Sequence, residues 1–342
     1  MKQVRGYIIL LSILLSFSAR AQQDVLLSQQ HWSRTNINPA ATPVSNYANA
    51  FLIIREQWGL FGSGFQGAPS SQMFNVHSYI EDIRSSVGLS IVNDAVGRSR
   101  NLNLMLNYAY HLRVGQEGYL AFGLGIGLQN RRIDDNLIFD RPELGLDFDE
   151  VWGDRRGLRP SVNFGITYST PNFKFGVSAT NLSRFFYSED DWFRLPLHLY
   201  SFMEIGLDLS DEVRFTPRVQ FMSAMGSSLA PMVNGTDTIR FGFTDRFDAI
   251  VDLGGKFSFG DRFFLGASFR SDATFSRNSG NALSAMIAVN LGPNFRIGYS
   301  YDHNLGNVFQ NVGRFGSHEI MLNIRMRVSE TQTSERTPRF FE

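Results

Sequence analysis

The sequence predicts an all-β protein: a transmembrane β-barrel of the outer-membrane type, with about fourteen antiparallel strands and both termini periplasmic. Three observations lead there. Apolar residues alternate with polar or small ones from about residue 45 almost to the end, the period-two signature of strands with one apolar face. Most alternating segments run about nine to twelve residues, the length a tilted strand needs to cross hydrocarbon. The connections between them tend to alternate short and long, as in barrels with tight periplasmic turns and extended outer loops.

The segments fall near 48–58, 71–79, 86–94, 101–112, 117–130, 159–170, 172–181, 196–209, 213–223, 247–257, 261–271, 281–291, 294–302 and 316–327. Their even number matches bacterial outer-membrane barrels. Phe173, Phe175, Val177 and Ala179 alternate with Lys174, Gly176, Ser178 and Thr180. Phe263, Leu265, Ala267 and Phe269 alternate with Phe264, Gly266, Ser268 and Arg270. Stretches 113–116, 171, 210–212, 260 and 292–293 read as short turns, whereas 131–158, 182–195, 224–246 and 303–315 read as long loops. A secreted sandwich or propeller has no reason for that asymmetry. In lipid every backbone N–H and C=O must be paired internally, and closing the sheet removes its open edges. The inward face can then be polar, which explains a mean hydropathy of only −0.14. Trp58, Tyr79, Tyr108, Tyr110, Tyr168, Tyr299 and Tyr301, near strand ends, are candidates for interfacial girdles.

Composition narrows the partners. Basic and acidic side chains balance at 32 each, so nothing points to nucleic acid. Cysteine is absent, which excludes disulfides, thiolate metal sites, a cysteine nucleophile and an acylated N-terminal Cys. Residues 1–21 read as a signal peptide: Lys2 and Arg5 are basic, residues 7–17 are apolar, and Ala19-Arg20-Ala21 supplies a small-x-small cleavage pattern. Cleavage is expected between Ala21 and Gln22, because the apolar run is well short of the ~20 residues of a membrane-spanning helix. The remaining chain divides into a periplasmic or lumenal segment 22–47, the barrel 48–327 and a polar tail 328–342.

Short motifs stand in order along the mature chain. They are Ser28-Gln29-Gln30, Asn38-Pro39-Ala40-Ala41, Arg55-Glu56-Gln57-Trp58, Gly67-Ala68-Pro69-Ser70-Ser71-Gln72, Asn93-Asp94, Asn107-Tyr108-Ala109-Tyr110-His111-Leu112, Arg296 to Asp302 (RIGYSYD), and Gly316-Ser317-His318-Glu319-Ile320. In this order and spacing the chain resembles the PorP/SprF family of the type IX secretion system in Bacteroidetes. The resemblance implies an outer-membrane barrel working with the type IX export machinery, in core secretion, in gliding motility, or in export and retention of surface adhesins. It marks Asn38, Pro39, Arg55, Gln57, Trp58, Gly67, Pro69, Asn93, Asp94, Tyr110, Tyr299, Tyr301, Gly316, His318 and Glu319 as structural or partner-binding positions. The strongly charged 131–158 stretch and the tail from Ser329 depart from the compact family pattern.

Other constellations of side chains bear on chemistry. His318 and Glu319 are adjacent on one strand, so alternation sends them to opposite faces and they form no local acid–base pair. The six histidines (31, 77, 111, 198, 303 and 318) lie in no nucleophile motif, and no G-x-S-x-G occurs. In the 131–158 stretch, Asp134, Asp135, Asp147, Asp149 and Glu150 offer hard oxygen ligands for Ca²⁺. The EF-hand pattern is absent, however, and Arg131, Arg132, Arg141, Arg155 and Arg156 offset the acidity. A self-paired solvated loop is favoured over a Ca²⁺ site, and contact with a cargo protein by charge complementarity is the functional reading carried forward. Gly123, Gly125 and Gly127 are not a phosphate loop; they make one smooth strand face for a plug, a loop or a neighbouring strand. Arg214, Arg218, Asp248, Asp252, Lys256, Arg270, Arg296, Asp302, Arg325 and Arg327 are expected inside, lining a channel or knitting it shut.

The expectation is a non-enzymatic, cofactor-free outer-membrane component of type IX secretion. Its partners would be outer-membrane lipid, the secretion machinery, and a secreted cargo or adhesin. A passive or substrate-specific porin is the alternative, and a lipid-modifying enzyme a distant third.

Overall fold

The computed structural model of the protein describes residues 25–57, 68–97, 99–133, 155–187, 195–234, 238–272, 281–305 and 316–328; side chains are described except at 133, 155 and 226–248. Residues 1–24 with the expected cleavage site at Ala21 and Gln22, Trp58, Gly67, the acidic candidates Asp134 to Glu150 and the tail from Ser329 lie outside the described residues.

The strands are β1 (Tyr47–Gln57), β2 (Ser70–Ile80), β3 (Ser85–Val96), β4 (Ser99–Val114), β5 (Gly118–Ile133), β6 (Arg155–Ser169), β7 (Phe173–Thr180), β8 (Leu197–Ile205), β9 (Leu207–Asp208), β10 (Val213–Asn234), β11 (Thr238–Phe259), β12 (Phe263–Asp272), β13 (Ala282–Leu291), β14 (Phe295–Asn304) and β15 (Ser317–Arg327). Both β8 and the two-residue β9 pair with β10, so β9 continues β8 past Gly206 and the elements form fourteen staves. Each stave pairs antiparallel with its sequence neighbour, and β15 pairs with β1 to close the ring. Closure leaves no sheet edge around the hydrocarbon level.

Alternation sorts the side chains as the period-two pattern requires. Leu104, Leu106, Tyr108 and Tyr110 of β4 point outward and are exposed, while Met105, Asn107, Ala109 and His111 point inward and are buried. The outer wall repeats this apolar rule on strand after strand. The inner wall is mostly polar: Ser90, Asn107, Asn163, Thr167, Ser268, Ser300 and Asn323 are all buried there.

Six turns cluster at one end: 81–84, 115–117, 170–172, 209–212, 260–262 and 292–294. Gly115, Gly260 and Gly292 adopt positive φ in them, a conformation that costs a side-chain-bearing residue. Tyr47 and Arg327, the two ends of the sheet, lie at this same short-turn end.

Three readings of the connections need correction. Residues 224–234 and 238–246 are not loop; β10 and β11 stay paired as a ladder as far as Asn234 and Thr238. Likewise β5 and β6 extend to Ile133 and from Arg155, so Arg131, Arg132, Arg155 and Arg156 are strand residues. The β3–β4 connection is tight, with Gly97 at φ +58°, and so breaks the alternation of lengths. Among the girdle candidates Tyr79 is also displaced. It sits on the inward face of β2 and meets His111 edge-on at 5.3 Å.

Candidate functional site

Residues 25–46 form no strand. They lie inside the ring as a plug, tied to opposite walls by three sets of contacts. In the first, Ser28 sits on two carboxylates. Its N–H donates to both oxygens of Glu319 at 2.7 Å, and its hydroxyl donates to Asp302 at 2.6 Å. The Gln29 N–H adds a 3.1 Å bond to Glu319. Arg55 lies 2.6 Å from Asp302 and 3.6 Å from Glu319. Arg270 bridges Asp302 to Asp252, and Asp252 in turn lies 3.7 Å from Arg218. The three arginines thus face three carboxylates, and side chains this deeply buried require such compensation.

The second set is Arg34 of the plug against Glu204 of β8 at 2.6 Å, both nearly solvent-free. The Arg34 guanidinium also lies 4.2 Å over the Phe202 ring. In the third, Asn38 caps a short turn at Pro39–Ala41 by accepting the Ala40 N–H at 2.9 Å. Its amide donates to the Thr167 hydroxyl at 3.3 Å and the Val177 carbonyl at 3.2 Å. Close approach here depends on glycine. A Cβ on Gly165 would lie 2.1 Å from the Asn38 Oδ1, and one on Gly123 would lie 2.2 Å from the Ala40 nitrogen.

Apolar contacts complete the seat. Leu27 packs among Phe51, Ile53, Met73 and Met321, while Ile37 packs on Tyr200, Met222 and Ile250. His31 lies half-buried between the plug and the wall and lines the lumenal cavity. Burial first, then the nearby Arg218, Lys256 and Arg34, hold its imidazole well below the usual range, so it is neutral.

The family-motif positions divide by this geometry. Asn38, Pro39, Arg55 and Glu319 meet at the plug, together with Ser28, Gln29 and Asp302 from the same motifs. Asp94 faces the lumen and accepts from Ser71 at 2.7 Å, whereas Asn93 faces outward and donates to Gln72. The Gln57 N–H donates to the Pro69 carbonyl across the mouth of the β1–β2 pair. Tyr110, Tyr299 and Tyr301 face outward. His318 accompanies the last two, with its Nδ1 2.7 Å from the Tyr299 hydroxyl and its ring 5.1 Å from that of Tyr301. Gly316 leaves room for Tyr301, whose ring would lie 2.4 Å from an added Cβ. His318 and Glu319 do point to opposite faces.

Beneath the plug, at the short-turn end, a cavity of about 510 Å³ opens among Trp32, Lys256, Arg296, Glu204 and the turns at 210–212, 260–261 and 292–293. Sequence reasoning placed Lys256 and Arg296 inside the barrel but did not connect them with Trp32. For catalysis the inventory is thin. Ser86 and His111 are 2.9 Å apart, but no carboxylate orients the imidazole among the described residues, and the pair is sealed from solvent. No cluster of three metal-ligating side chains occurs among the described residues.

A family model described as "Type IX secretion system membrane protein PorP/SprF" matches residues 19–324. The chain belongs to the PorP/SprF family. It is therefore an outer-membrane component of type IX secretion, a family and fold of secretion and outer-membrane components rather than of a known enzyme class. Solved barrels share its fold at low identity. The toluene transporter TodX of Pseudomonas putida matches at 9% identity and TM-score 0.52, covering 89% of this chain and 94% of that one. A Pseudomonas aeruginosa FadL homologue matches at 11% identity and TM-score 0.51, covering 91% and 100%. The CymD monoaromatic hydrocarbon channel matches at 12% identity and TM-score 0.50, covering 90% and 94%. No curated protein matches the chain.

Proposed function

We propose that this PorP/SprF protein supports export or surface attachment of a partner cargo protein, a gliding adhesin among the candidates, without catalysing a reaction. The family match over residues 19–324 carries the reading. The seated plug supports it against a passive pore, because Ser28, Arg34 and Asn38 are anchored to different walls of the lumen. In this reading the short-turn end faces the periplasm and the secretion machinery, after export with cleavage between Ala21 and Gln22. The opposite end faces outward, where the segment bearing Asp134, Asp135, Asp147, Asp149 and Glu150 contacts cargo. Deletion of the gene is expected to leave cargo inside the cell or released into the medium, with small-solute uptake unimpaired. Normal surface display of every type IX cargo in the deletion strain rejects the proposal.

A porin is the second reading, prompted by solved neighbours described as a channel and a transporter. Their likeness is one of fold. Planar bilayers separate the two: a porin gives stable open-channel steps, and a plugged adaptor stays silent.

A further inference from the structure

We propose that the cavity beneath the plug is a binding site for a peptide segment with an acidic tip and basic residues behind it. The floor is built for an anion. Two cations lie over the Trp32 ring of the plug, the Lys256 ammonium 3.9 Å and the Arg296 guanidinium 4.2 Å from its centre. Phe264 meets the same indole edge-on at 5.1 Å. Stacking on a ring face leaves ammonium N–H donors unspent. Lys256 has no carboxylate within ion-pair distance among the described residues, although every neighbouring arginine of the plug network has one. The Trp32 Nε1 donor is likewise without a hydrogen-bond partner. Arg296 is held in place from behind, its Nε donating to Asn290 at 2.7 Å.

The mouth carries an acidic excess, with Asp208, Asp211, Glu212 and Asp261 against Arg214 and Arg325, and Arg214 is paired with Asp208. Asp211, Glu212 and Asp261 stand on the exposed short turns that rim the cavity. A negative rim above a positive floor repels polyphosphates and anionic lipid headgroups at entry, yet suits a peptide whose carboxylate reaches the floor while its basic residues stay at the rim. A volume of about 510 Å³ is within the range of clefts that enclose small ligands, enough for a short chain end and too little for a folded domain. The aromatic pair offers an apolar wall for the residue next to the carboxylate.

The site does not depend on the secretion proposal, because binding is measured on the purified protein. The mature chain in detergent micelles is titrated with the fluorescein-labelled hexapeptide Lys-Lys-Gly-Ser-Phe-Glu, followed by anisotropy. Saturable binding is expected. It should weaken about tenfold or more when the peptide ends in an amidated Gln, and equally in Lys256→Gln, with recovery in Lys256→Arg. The double variant Asp211→Asn with Glu212→Gln should weaken it several-fold through the basic residues. Equal affinity for the Gln-ended peptide, measured on the unmodified protein, overturns the proposal whatever the variants do. Full displacement by inorganic phosphate also overturns it and reassigns the floor as a small-anion site. Unchanged heat-modifiable gel mobility certifies that each variant is folded.

Discussion

The two faces of the same strands obey different rules. On the outer face of β4, Leu104, Leu106 and Tyr108 need only be apolar and of reasonable size. Lipid is a fluid partner that fills around whatever shape is presented. On the inner face the partner is a fixed polypeptide, and several positions answer to particular atoms of the plug or of the wall beside it. Gly165 exists for Asn38, Asp302 for Ser28 and Arg55, and Glu204 for Arg34. A solvent tolerates variation, whereas a seated plug requires matching geometry.

Substitutions can break or sharpen this contrast. The largest effect is expected inside. Arg55→Ala leaves Glu319 with no ion-pair partner among the described residues and Asp302 with only Arg270 at 3.9 Å, at an expected cost of about 3–5 kcal/mol, read by urea unfolding from bilayers. A loss below about 1 kcal/mol would mean that water already reaches the network. Outside, Leu106→Arg attacks the rule itself by placing a charge on the lipid face near mid-strand, at about 2–4 kcal/mol in the same assay. Gly165→Ala adds one carbon, negligible in lipid but 2.1 Å from Asn38. It should cost about 1–3 kcal/mol and expose the plug to limited proteolysis.

Acidification sharpens the comparison next, since the outer face of β4 from Leu102 to Leu112 carries no carboxylate or imidazole. His31 is held neutral with a lowered pKa, so the unfolded chain binds the proton more readily. Stability should therefore fall as pH drops below about 6.5, by up to about 1.4 kcal/mol per pH unit, and His31→Gln should flatten that slope. The smallest effect belongs outside. Leu106→Ile should stay within about 0.5 kcal/mol, and a larger loss would show that the outer wall has a specific partner of its own.

The same contrast decides what could be read from sequence. The strands were legible because lipid imposes one repeating demand, and Phe173 to Thr180 or Phe263 to Arg270 answers it in eight residues. The stretch 224–246 was misread because it leaves the zone where both flanking strands pair with it, and there the alternation weakens. The plug was hardly legible at all. It has no period, and its partners are remote: Ser28 is 291 residues from Glu319. Only indirect traces were visible. The glycine face of β5 asked for something to approach it, and Ser28, Asn38, Arg55 and Glu319 sat in motifs whose reason is now their meeting point.

One detail of that meeting point bears on how the protein is assembled. The ring is sealed where β15 meets β1, and in that register Arg55 stands directly opposite Glu319. The last pairing to form in chain order thus brings the charge of Arg55 to its carboxylate, with the Ser28 N–H already waiting behind it on the preceding segment. A slip of one residue would turn β15 inside out and carry Glu319 toward lipid. A slip of two would keep it inside but set Arg55 against Met321 or Ser317. The buried ion pair at the seam therefore acts as a latch that fastens only when the barrel has closed in register around its own N-terminal segment.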